Sequence, residues 1–306
     1  MGLTVSVVTP SFNQGPYLER TVRSVLDQGI EGLEYVVMDG GSKDDSVEIL
    51  RRYQSRLRWV SEPDRGQAHA VNKGIAATSG DIIGWLNSDD VYYPNAIAAA
   101  RQYLEFHPEV DFVYGEANFI DEQDRFVSRY PTEPWNRGRL QDSCFLCQPS
   151  VFIRRKAVKQ FGLLDESLNF CMDYEYWLRA AERGGRFAYV PSVWSGARLH
   201  AATKTLGSRT KAHLELNDFM KRRFGLVPTK WLLNYACVVL KIDGSVSSPK
   251  LYALPALLPV VLYASLRAER RDFRSLLART RRRDSRKVRQ AISADSRKHA
   301  RHLPGP

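Results

Sequence analysis

The sequence contains little cysteine, and this excludes one whole class of small protein. Only four of its 306 residues are cysteines, too few for a fold held together by disulfides. Cys144 and Cys147 have the spacing of a metal or redox pair, but no second cysteine pair and no His-x-x-x-His partner accompanies them. We therefore expect ordinary thiols in a reducing compartment.

The sequence also lacks a recognisable signal peptide and a complete membrane span. Residues 3–9 form a β-branched run with no basic region or cleavage site, and they predict a first strand. The uncharged run at 251–266 is shorter than the roughly 20 residues a spanning helix needs, and Pro255 and Pro259 interrupt it. Two interpretations stay open: a segment lying on a membrane surface, or a packed C-terminal helical pair.

Positive charge is concentrated at the C-terminal end of the chain. The chain has 45 Lys and Arg against 34 Asp and Glu, a net charge of +11, and residues 267–306 hold 14 of the basic and 4 of the acidic residues. Because this tail has no aromatic residue after Phe273 to stack on bases, we expect no nucleic acid as its partner. Its position next to an apolar run predicts an anionic membrane surface instead, with the protein cytoplasmic and peripheral on the inner face of the cell membrane. A nucleic-acid-binding protein using this tail remains an alternative.

Strand and helix signals alternate along the first hundred residues, and this pattern is typical of a mostly parallel sheet. Four strands are predicted at 5–9, 33–38, 57–60 and 81–86, with helices at 17–28, from 44 or 45 to 53, and at 68–77. A more mixed region follows, with strands at 112–118, 126–130, 150–153 and 187–190, the last ended by Pro191, and a helix at 174–183. The fold class is therefore α/β, with a mixed, mostly parallel sheet flanked by helices. The predicted domains are 1–212, with halves 1–100 and 101–212, then a helical, apolar extension at 213–266 and a flexible basic tail at 267–306.

Acidic residues follow the predicted strands where they end: Asp39, Asp64 and the pair Asp89–Asp90. Each alone suits a turn or a helix cap, but parallel strands end at one rim, so these carboxylates should converge in one crevice. Side chains of adjacent residues diverge, so one member of the pair can face a metal while the other faces a sugar hydroxyl. Mg²⁺ and Mn²⁺ are commonly held by one or two carboxylates and substrate phosphates. No glycine-rich phosphate loop follows the first strand, so a nucleotide here is expected to be held through a metal.

Six motifs occur in order: VVTPSFN at 7–13, DGGSKDDS at 39–46, EPDRGQ at 62–67, NKG at 72–74, GDIIGWLNSDD at 80–90 and MDYEYWLR at 172–179. In order and spacing this set resembles glycosyltransferase family 2, over roughly residues 3 to 200. The resemblance implies a fold of the type called GT-A and an inverting transfer of a sugar from a nucleotide-sugar to a hydroxyl group.

The resemblance also implies which residues bind the donor. Thr9, Ser11 and Asp39 are expected to line the base pocket, with Asp39 meeting the pyrimidine of a UDP-linked sugar. Arg65 is expected near the base or the diphosphate. Asp89 is expected to meet the ribose or the sugar.

The same resemblance assigns the metal, the base and the acceptor side. Asp90 is expected to hold a divalent metal, Mn²⁺ or Mg²⁺, and His200 is a further candidate for metal or phosphate. Asp173 is expected to be the general base, although it would also suit the cap of its helix. The acid that precedes the base in many relatives is missing here, or replaced by Glu175. Gln148 is a candidate for the acceptor site.

The sequence thus predicts a metal-dependent inverting glycosyltransferase acting on a glycan or lipid-linked acceptor. A nucleotidyltransferase of similar fold is the alternative enzyme, and the helix motif that contains Asp173 argues against it.

Overall fold

The computed structural model describes residues 2–201, 203 and 207–240, and the chain divides into two units, Met1–Leu216 and Asn217–Pro306. The first unit holds the entire sheet that is described below. The predicted boundaries at 212 and 266 stay predictions. The apolar run at 251–266 and the basic tail at 267–306 lie outside the described residues.

The described residues of the first unit form a mixed sheet of nine strands. Eight strands lie in the order β3-β2-β1-β4-β8-β6-β9-β5, and β7 pairs with the C-terminal residues of β6. The strands are β1 (Val5–Ser11), β2 (Glu34–Asp39), β3 (Arg58–Ser61), β4 (Ile82–Trp85), β5 (Val91–Tyr92), β6 (Phe112–Ile120), β7 (Phe126–Arg129), β8 (Val151–Arg154) and β9 (Phe187–Arg198).

The N-terminal half of the sheet is wholly parallel, as the alternating pattern predicts. β3, β2, β1 and β4 pair in parallel, and every residue of β1 is buried, as expected for a strand covered on both faces. The connecting helices are α1 (Gly15–Leu26), α2 (Ser46–Arg52) and α3 (Gln67–Ala76). On α1 the apolar residues Leu18, Val22 and Val25 are fully buried at helical spacing and form part of the main core. The predicted α/β class is confirmed.

The second half of the sheet mixes strand directions. β8 runs antiparallel to both β4 and β6, whereas β9 runs parallel to β6. Its helices are α4 (Ala96–Phe106), α5 (Arg137–Asp142), α6 (Arg155–Phe161) and α7 (Met172–Glu182), and a single 3₁₀ turn covers Gln148–Ser150. Two more helices follow, α8 (Arg209–Phe224) and α9 (Thr229–Val239).

The prediction that Pro191 ends its strand is wrong. β9 continues to Arg198, and its register against β6 shifts where Gly115 pairs with Val190 and Glu116 pairs with Val193. Pro191 therefore lies in a bulge, where the missing N–H leaves no ladder hydrogen bond unmade. This continuation brings Arg198 to the level of the strand ends on the other half of the sheet.

The carboxyl ends of three parallel strands are in direct register. Ser11 pairs with Asp39, and Asp39 pairs with Ser61, so the last residues of β1, β2 and β3 form one row. The loops that leave this row define one rim of the sheet, which is where open α/β sheets bind ligands. Within residues 2–201, 203 and 207–240, no helix has the length and apolar character needed to cross a membrane.

Candidate active site

A cleft of about 960 Å³ opens at this rim. One part of its lining comes from the loops after β1, β2 and β4, including Ser11, Gly40 and the pair Asp89–Asp90. The other part comes from the 3₁₀ turn at Gln148, the start of α7 and the end of β9. The cleft is therefore built from both halves of the sheet, and its carboxylates come from distant segments of the chain.

Asn87 organises the turn that presents the acidic pair. Its Oδ1 accepts hydrogen bonds from Trp85 Nε1 at 2.9 Å and from Gln67 Nε2 at 2.6 Å. Its Nδ2 donates to Asp90 Oδ2 at 3.3 Å and to Gln148 Oε1 at 2.9 Å. All four capacities of this amide are used, so the turn after β4 is fixed from several directions.

Asp90 is a buried carboxylate, 6% exposed, that lines the cleft. Burial, together with the neighbouring Asp89 carboxylate, raises the pKa of Asp90 well above its ordinary value. The N–H of Arg198 donates to Asp90 Oδ1 at 2.9 Å and opposes this shift only in part. An unrelieved negative charge of this kind favours a cation at the same place.

Asp89 is held by the end of β9. Its Oδ2 lies 3.1 Å from His200 Nε2, and its carbonyl oxygen accepts a hydrogen bond from Arg198 Nε at 2.7 Å. The ring of His200 lies against the ring of Tyr17, with centroids 4.5 Å apart. The Arg198 guanidinium lies 5.2 Å from the centre of the Tyr17 ring. His200 therefore contacts Asp89, while its predicted role toward a metal or phosphate stays a prediction.

The predicted base-pocket residues fall into two groups. Ser11 lines the cleft, and its buried hydroxyl makes no hydrogen bond with any residue that the structure describes. Thr9 is fully buried, and its hydroxyl lies 3.2 Å from the hydroxyl of Tyr35, in the core. An unsatisfied buried hydroxyl in a cleft wall is available to a ligand, so Ser11 fits its predicted role more directly than Thr9 does.

Asp39 and Arg65 are not among the residues that line the cleft, although their chain neighbours Gly40, Asp64 and Gly66 are. Asp39 is 3% exposed, and its carboxylate accepts hydrogen bonds from the Ser42 hydroxyl (2.5 Å), the Ser61 hydroxyl (2.6 Å) and the N–H groups of Gly41 and Ser42. It thereby fixes the turn that places Gly40 in the cleft wall. The Arg65 side chain is largely exposed and forms an ion pair with Glu166 at 2.5 Å.

Asp173 lines the cleft from the first turn of α7. Its Oδ1 accepts a hydrogen bond from the N–H of Tyr174 at 2.8 Å, and this N–H belongs to the helix start, where backbone donors need partners. The positive end of the helix dipole favours an anionic side chain here. Glu175 is buried beneath this turn, in a two-bond ion pair with Arg179 at 2.8 and 2.9 Å.

Gln148 lines the cleft, but both ends of its amide are already engaged. Its Nε2 donates to the carbonyl oxygen of Trp85 at 2.5 Å, and its Oε1 accepts from Asn87. Gln148 therefore links the 3₁₀ turn to the end of β4. Its predicted contact with the acceptor stays a prediction.

The sequence profile of Glycosyl transferase family 2 matches residues 6–162, about half of the chain. The chain belongs to this family. The match covers the segments that form most of the cleft, including the ends of β1, β2 and β4. The predicted family is confirmed.

One curated relative resembles this chain in sequence, and two solved structures resemble it in fold. An uncharacterized glycosyltransferase of Rickettsia prowazekii is 29% identical over 214 residues, which are 66% of this chain and 65% of the relative. The chain thus spans about two thirds of that protein's length. TarS of S. aureus in complex with UDP-GlcNAc superposes with a TM-score of 0.57 at 15% identity, covering 86% of this chain and 82% of that chain. The mannosyltransferase PcManGT of Pyrobaculum calidifontis in complex with GDP-Man and Mn²⁺ has a TM-score of 0.54 at 18% identity, covering 86% and 74%. At these identities the two structures show the fold alone.

Glycosyltransferases of this fold commonly use a divalent metal, and the acidic pair fits one. Among the described residues no three His, Cys, Asp or Glu side chains form a ready ligand cluster. Mg²⁺ and Mn²⁺ nevertheless need only one or two carboxylates when phosphate oxygens and water complete the shell. Asp90 is buried, and its charge is compensated only in part by Arg198, which is the condition a cation would relieve.

Two organising residues were given no individual role by sequence reasoning. Asn87 lies within the motif at 80–90, which was singled out for Asp89 and Asp90, and Arg198 lies two residues before the candidate His200. Their partners lie up to 109 positions away in the chain, as for the bond from Arg198 to Asp89. The available signal was a polar residue two positions before a predicted site residue, Asn87 before Asp89 and Arg198 before His200.

Proposed function

We propose that this glycosyltransferase transfers a sugar, with inversion, from a UDP-linked donor to a hydroxyl of a glycan or lipid-linked acceptor. One observation carries the proposal: the acidic pair Asp89–Asp90 and the carboxylate of Asp173 line the same cleft. The first two are suited to the donor diphosphate and sugar, and the third is suited to an incoming hydroxyl. TarS and PcManGT, which share the fold, are seen with UDP-GlcNAc and with GDP-Man and Mn²⁺.

On the donor side, the chain offers a hydroxyl without a hydrogen-bond partner among the described residues and a carboxylate already fixed by hydrogen bonds. The unpartnered hydroxyl of Ser11 is available to the nucleoside, and Asp89 is available to a ribose or sugar hydroxyl. Asp39 holds the adjacent turn and is proposed to meet the pyrimidine, with Thr9 behind it in the core. Arg65 reaches the base or the diphosphate by exchanging its surface partner Glu166, a pair that costs little to separate.

On the metal side, Asp90 is proposed as the principal ligand, with His200 next to Asp89 as a second candidate. A bound Mn²⁺ or Mg²⁺ would act there as a Lewis acid that stabilises the charge of the departing nucleoside diphosphate. Asn87 and Arg198 keep the Asp90 carboxylate in place through bonds at 3.3 and 2.9 Å. The chain's contribution is thus a fixed carboxylate in a partly dry wall of the cleft.

On the acceptor side, the proposed reaction is a single displacement. The acceptor oxygen forms a bond to C1 of the sugar while the bond from C1 to the diphosphate oxygen breaks, and the diphosphate leaves with that electron pair. The acceptor proton passes to the carboxylate of Asp173, a general-base contribution of typically 10²–10⁴-fold. Attack from the face opposite the diphosphate inverts C1. Gln148, in the cleft wall, is proposed to contact the acceptor.

The C-terminal segment is proposed to place this cleft next to its acceptor. Residues 251–306, which lie outside the described residues, combine an apolar run with a basic tail. Such a combination favours the anionic inner face of a cell membrane, where a lipid-linked acceptor would be presented.

The decisive experiment compares wild type with Asp173→Asn, using UDP-sugars in the presence of Mn²⁺. We expect the dissociation constant of the donor, measured by thermal shift, to stay within about twofold of wild type, because Asp173 is assigned to the acceptor side. We expect transfer to fall by at least about 100-fold, because the amide cannot take the proton. Normal turnover in the variant would remove Asp173 from the role of base. The same thermal-shift series across donors identifies the sugar nucleotide.

A further inference from the structure

The carboxylate of Glu215, on α8, binds three consecutive backbone N–H groups just before α7. Glu215 Oε2 accepts from the N–H of Asn169 at 2.8 Å, and Oε1 accepts from the N–H groups of Phe170 at 2.7 Å and Cys171 at 3.0 Å. Hydrogen bonds to an ionised acceptor are among the stronger ones in proteins. A single side chain thus fixes the path of the chain into α7.

The N-cap residue of α7 does not fix this helix start with its own side chain. Cys171 is the N-cap of α7, and its side chain makes no capping hydrogen bond. Helix starts leave several N–H groups without intrahelical partners, and residues without a side-chain cap depend on other acceptors. Glu215, 44 to 46 positions further along the chain, accepts from the N–H of the cap residue Cys171 and of the two residues before it, so it holds the chain immediately ahead of the helix.

The segment also forms part of the cleft. Asn169 and Phe170 line it, and so do Met172 and Asp173 in the first turn of α7. Lys211, one turn before Glu215 on α8, lines the cleft as well. The first turn of α8 therefore contributes to the wall of the cleft, although α8 lies beyond the residues matched by the family profile, 6–162.

We propose that Glu215 is a positioning residue for the transfer reaction. By holding the N–H groups of residues 169–171, it sets where α7 begins and therefore where the carboxylate of Asp173 points. The inference rests on the proposed function, because it takes Asp173 as the base. Glu215 itself contacts backbone and not the reacting atoms.

The experiment is a double-mutant cycle on the full chain. Glu215→Ala removes all three bonds, and Glu215→Gln removes at least one, because one oxygen becomes an amide that cannot accept. We expect kcat to fall by about 10- to 100-fold in Glu215→Ala and by less in Glu215→Gln, since small misplacements of a reacting group have effects of this order. The dissociation constant of the donor should stay within about twofold. Glu48→Gln, an exposed glutamate on α2, is the matched control and should keep wild-type kcat.

The cycle separates positioning from general stability. If Glu215 acts through Asp173, adding Glu215→Ala to Asp173→Asn should cause no further loss of residual transfer, whereas independent effects would multiply. Multiplied losses, an unchanged kcat in Glu215→Ala, or a loss confined to donor affinity would each overturn the inference. Should Glu215→Ala fail to fold, Glu215→Gln carries the same comparison.

The proposed function can be judged apart from this inference. If Asp173→Asn loses transfer while Glu215→Ala keeps it, only the inference fails. If Asp173→Asn turns over normally, the assigned base is wrong, and the positioning role falls with it.

Discussion

At the scale of single residues, the cleft places a destabilising charge where chemistry needs one. Asp90 is buried beside Asp89, and burial with that neighbour raises its pKa well above the ordinary value. A carboxylate in this setting costs folding free energy unless a cation compensates it. Active sites commonly retain such groups because function requires them.

We therefore expect Asp90→Asn to separate stability from function. The amide has nearly the same shape, and the relief of a buried charge offsets the one hydrogen bond that its NH2 group can no longer accept, so the melting temperature should stay close to that of wild type. Mn²⁺-dependent donor binding should weaken on the order of 100-fold, because the proposed ligand is gone. Isothermal titration of the donor with and without Mn²⁺ measures the second effect, and calorimetry measures the first.

Asp81→Asn is the matched control for this prediction. Asp81 accepts hydrogen bonds from the N–H of Thr4 at 3.0 Å and from its hydroxyl at 2.8 Å, and these bonds lower its pKa. Its replacement should lower stability slightly and leave the Mn²⁺ dependence of donor binding unchanged. Retained Mn²⁺ dependence in Asp90→Asn would contradict the assignment of Asp90.

The main site residues could be predicted from sequence because they follow strands. Asp89 and Asp90 follow a nearly continuous apolar run, and parallel strands end at one rim, so their place in a crevice follows from topology. The partners of these residues could not be predicted in the same way. Arg198 reaches Asp89 only because β9 continues past Pro191, and Glu215 reaches α7 only through the packing of α8.

At the scale of elements, the parallel half of the sheet depends on a close approach of α3 to β1. Gly74 lies on α3 directly over Val8, and an added Cβ would come within 2.2 Å of Val8 Cγ1. Real Cβ atoms do not approach that closely, so any larger residue must push the helix from the strand. The sequence predicted both elements, but their separation depends on side-chain packing that hydrophobic periodicity does not report.

We expect Gly74→Ala to destabilise the protein by about 1–3 kcal/mol, because overpacking at a buried contact outweighs the better helix propensity of alanine. The midpoint of urea unfolding should fall without a large change in slope. Gly138→Ala is the control, since Gly138 lies in α5 and its nearest neighbour to an added Cβ, Asn136 Oδ1, is 3.5 Å away. That variant should be as stable as wild type or up to about 1 kcal/mol more stable. Equal stability of wild type and Gly74→Ala would show that α3 can shift without cost.

Other elements differ from the sequence expectation for identifiable reasons. The strand at 187–190 was ended at Pro191 because proline removes a ladder donor, but a bulge accommodates it there. No element was predicted between residues 91 and 109, yet α4 begins at Ala96 after Asn95 in the left-handed region, at φ 67°. Its buried residues are Ala96, Ile97, Ala100 and Leu104, and because alanine also occupies the less buried positions 98 and 99, the periodic signal is weak.

At the scale of the whole molecule, charge is divided between the catalytic unit and the C-terminal end. Residues 267–306 hold 14 of the 45 Lys and Arg and only 4 of the 34 Asp and Glu, so the rest of the chain is close to neutral. The cleft therefore does not depend on a general basic surface to attract a nucleotide-sugar. Most of the net charge of +11 lies in the tail, where it favours binding to an anionic surface.

We expect a chain ending at Leu240, which retains every described residue, to keep transfer to a soluble acceptor and to lose binding to anionic vesicles. Each Lys or Arg near an anionic surface contributes about 1 kcal/mol, so removal of the tail should abolish flotation with vesicles that contain phosphatidylglycerol. A chain ending at Leu266 keeps the apolar run without the tail and separates the two contributions. Full-length protein should float less as salt is raised and should bind neutral vesicles weakly. Equal flotation of the full chain and the chain ending at Leu240 would assign membrane binding to the described part of the molecule instead.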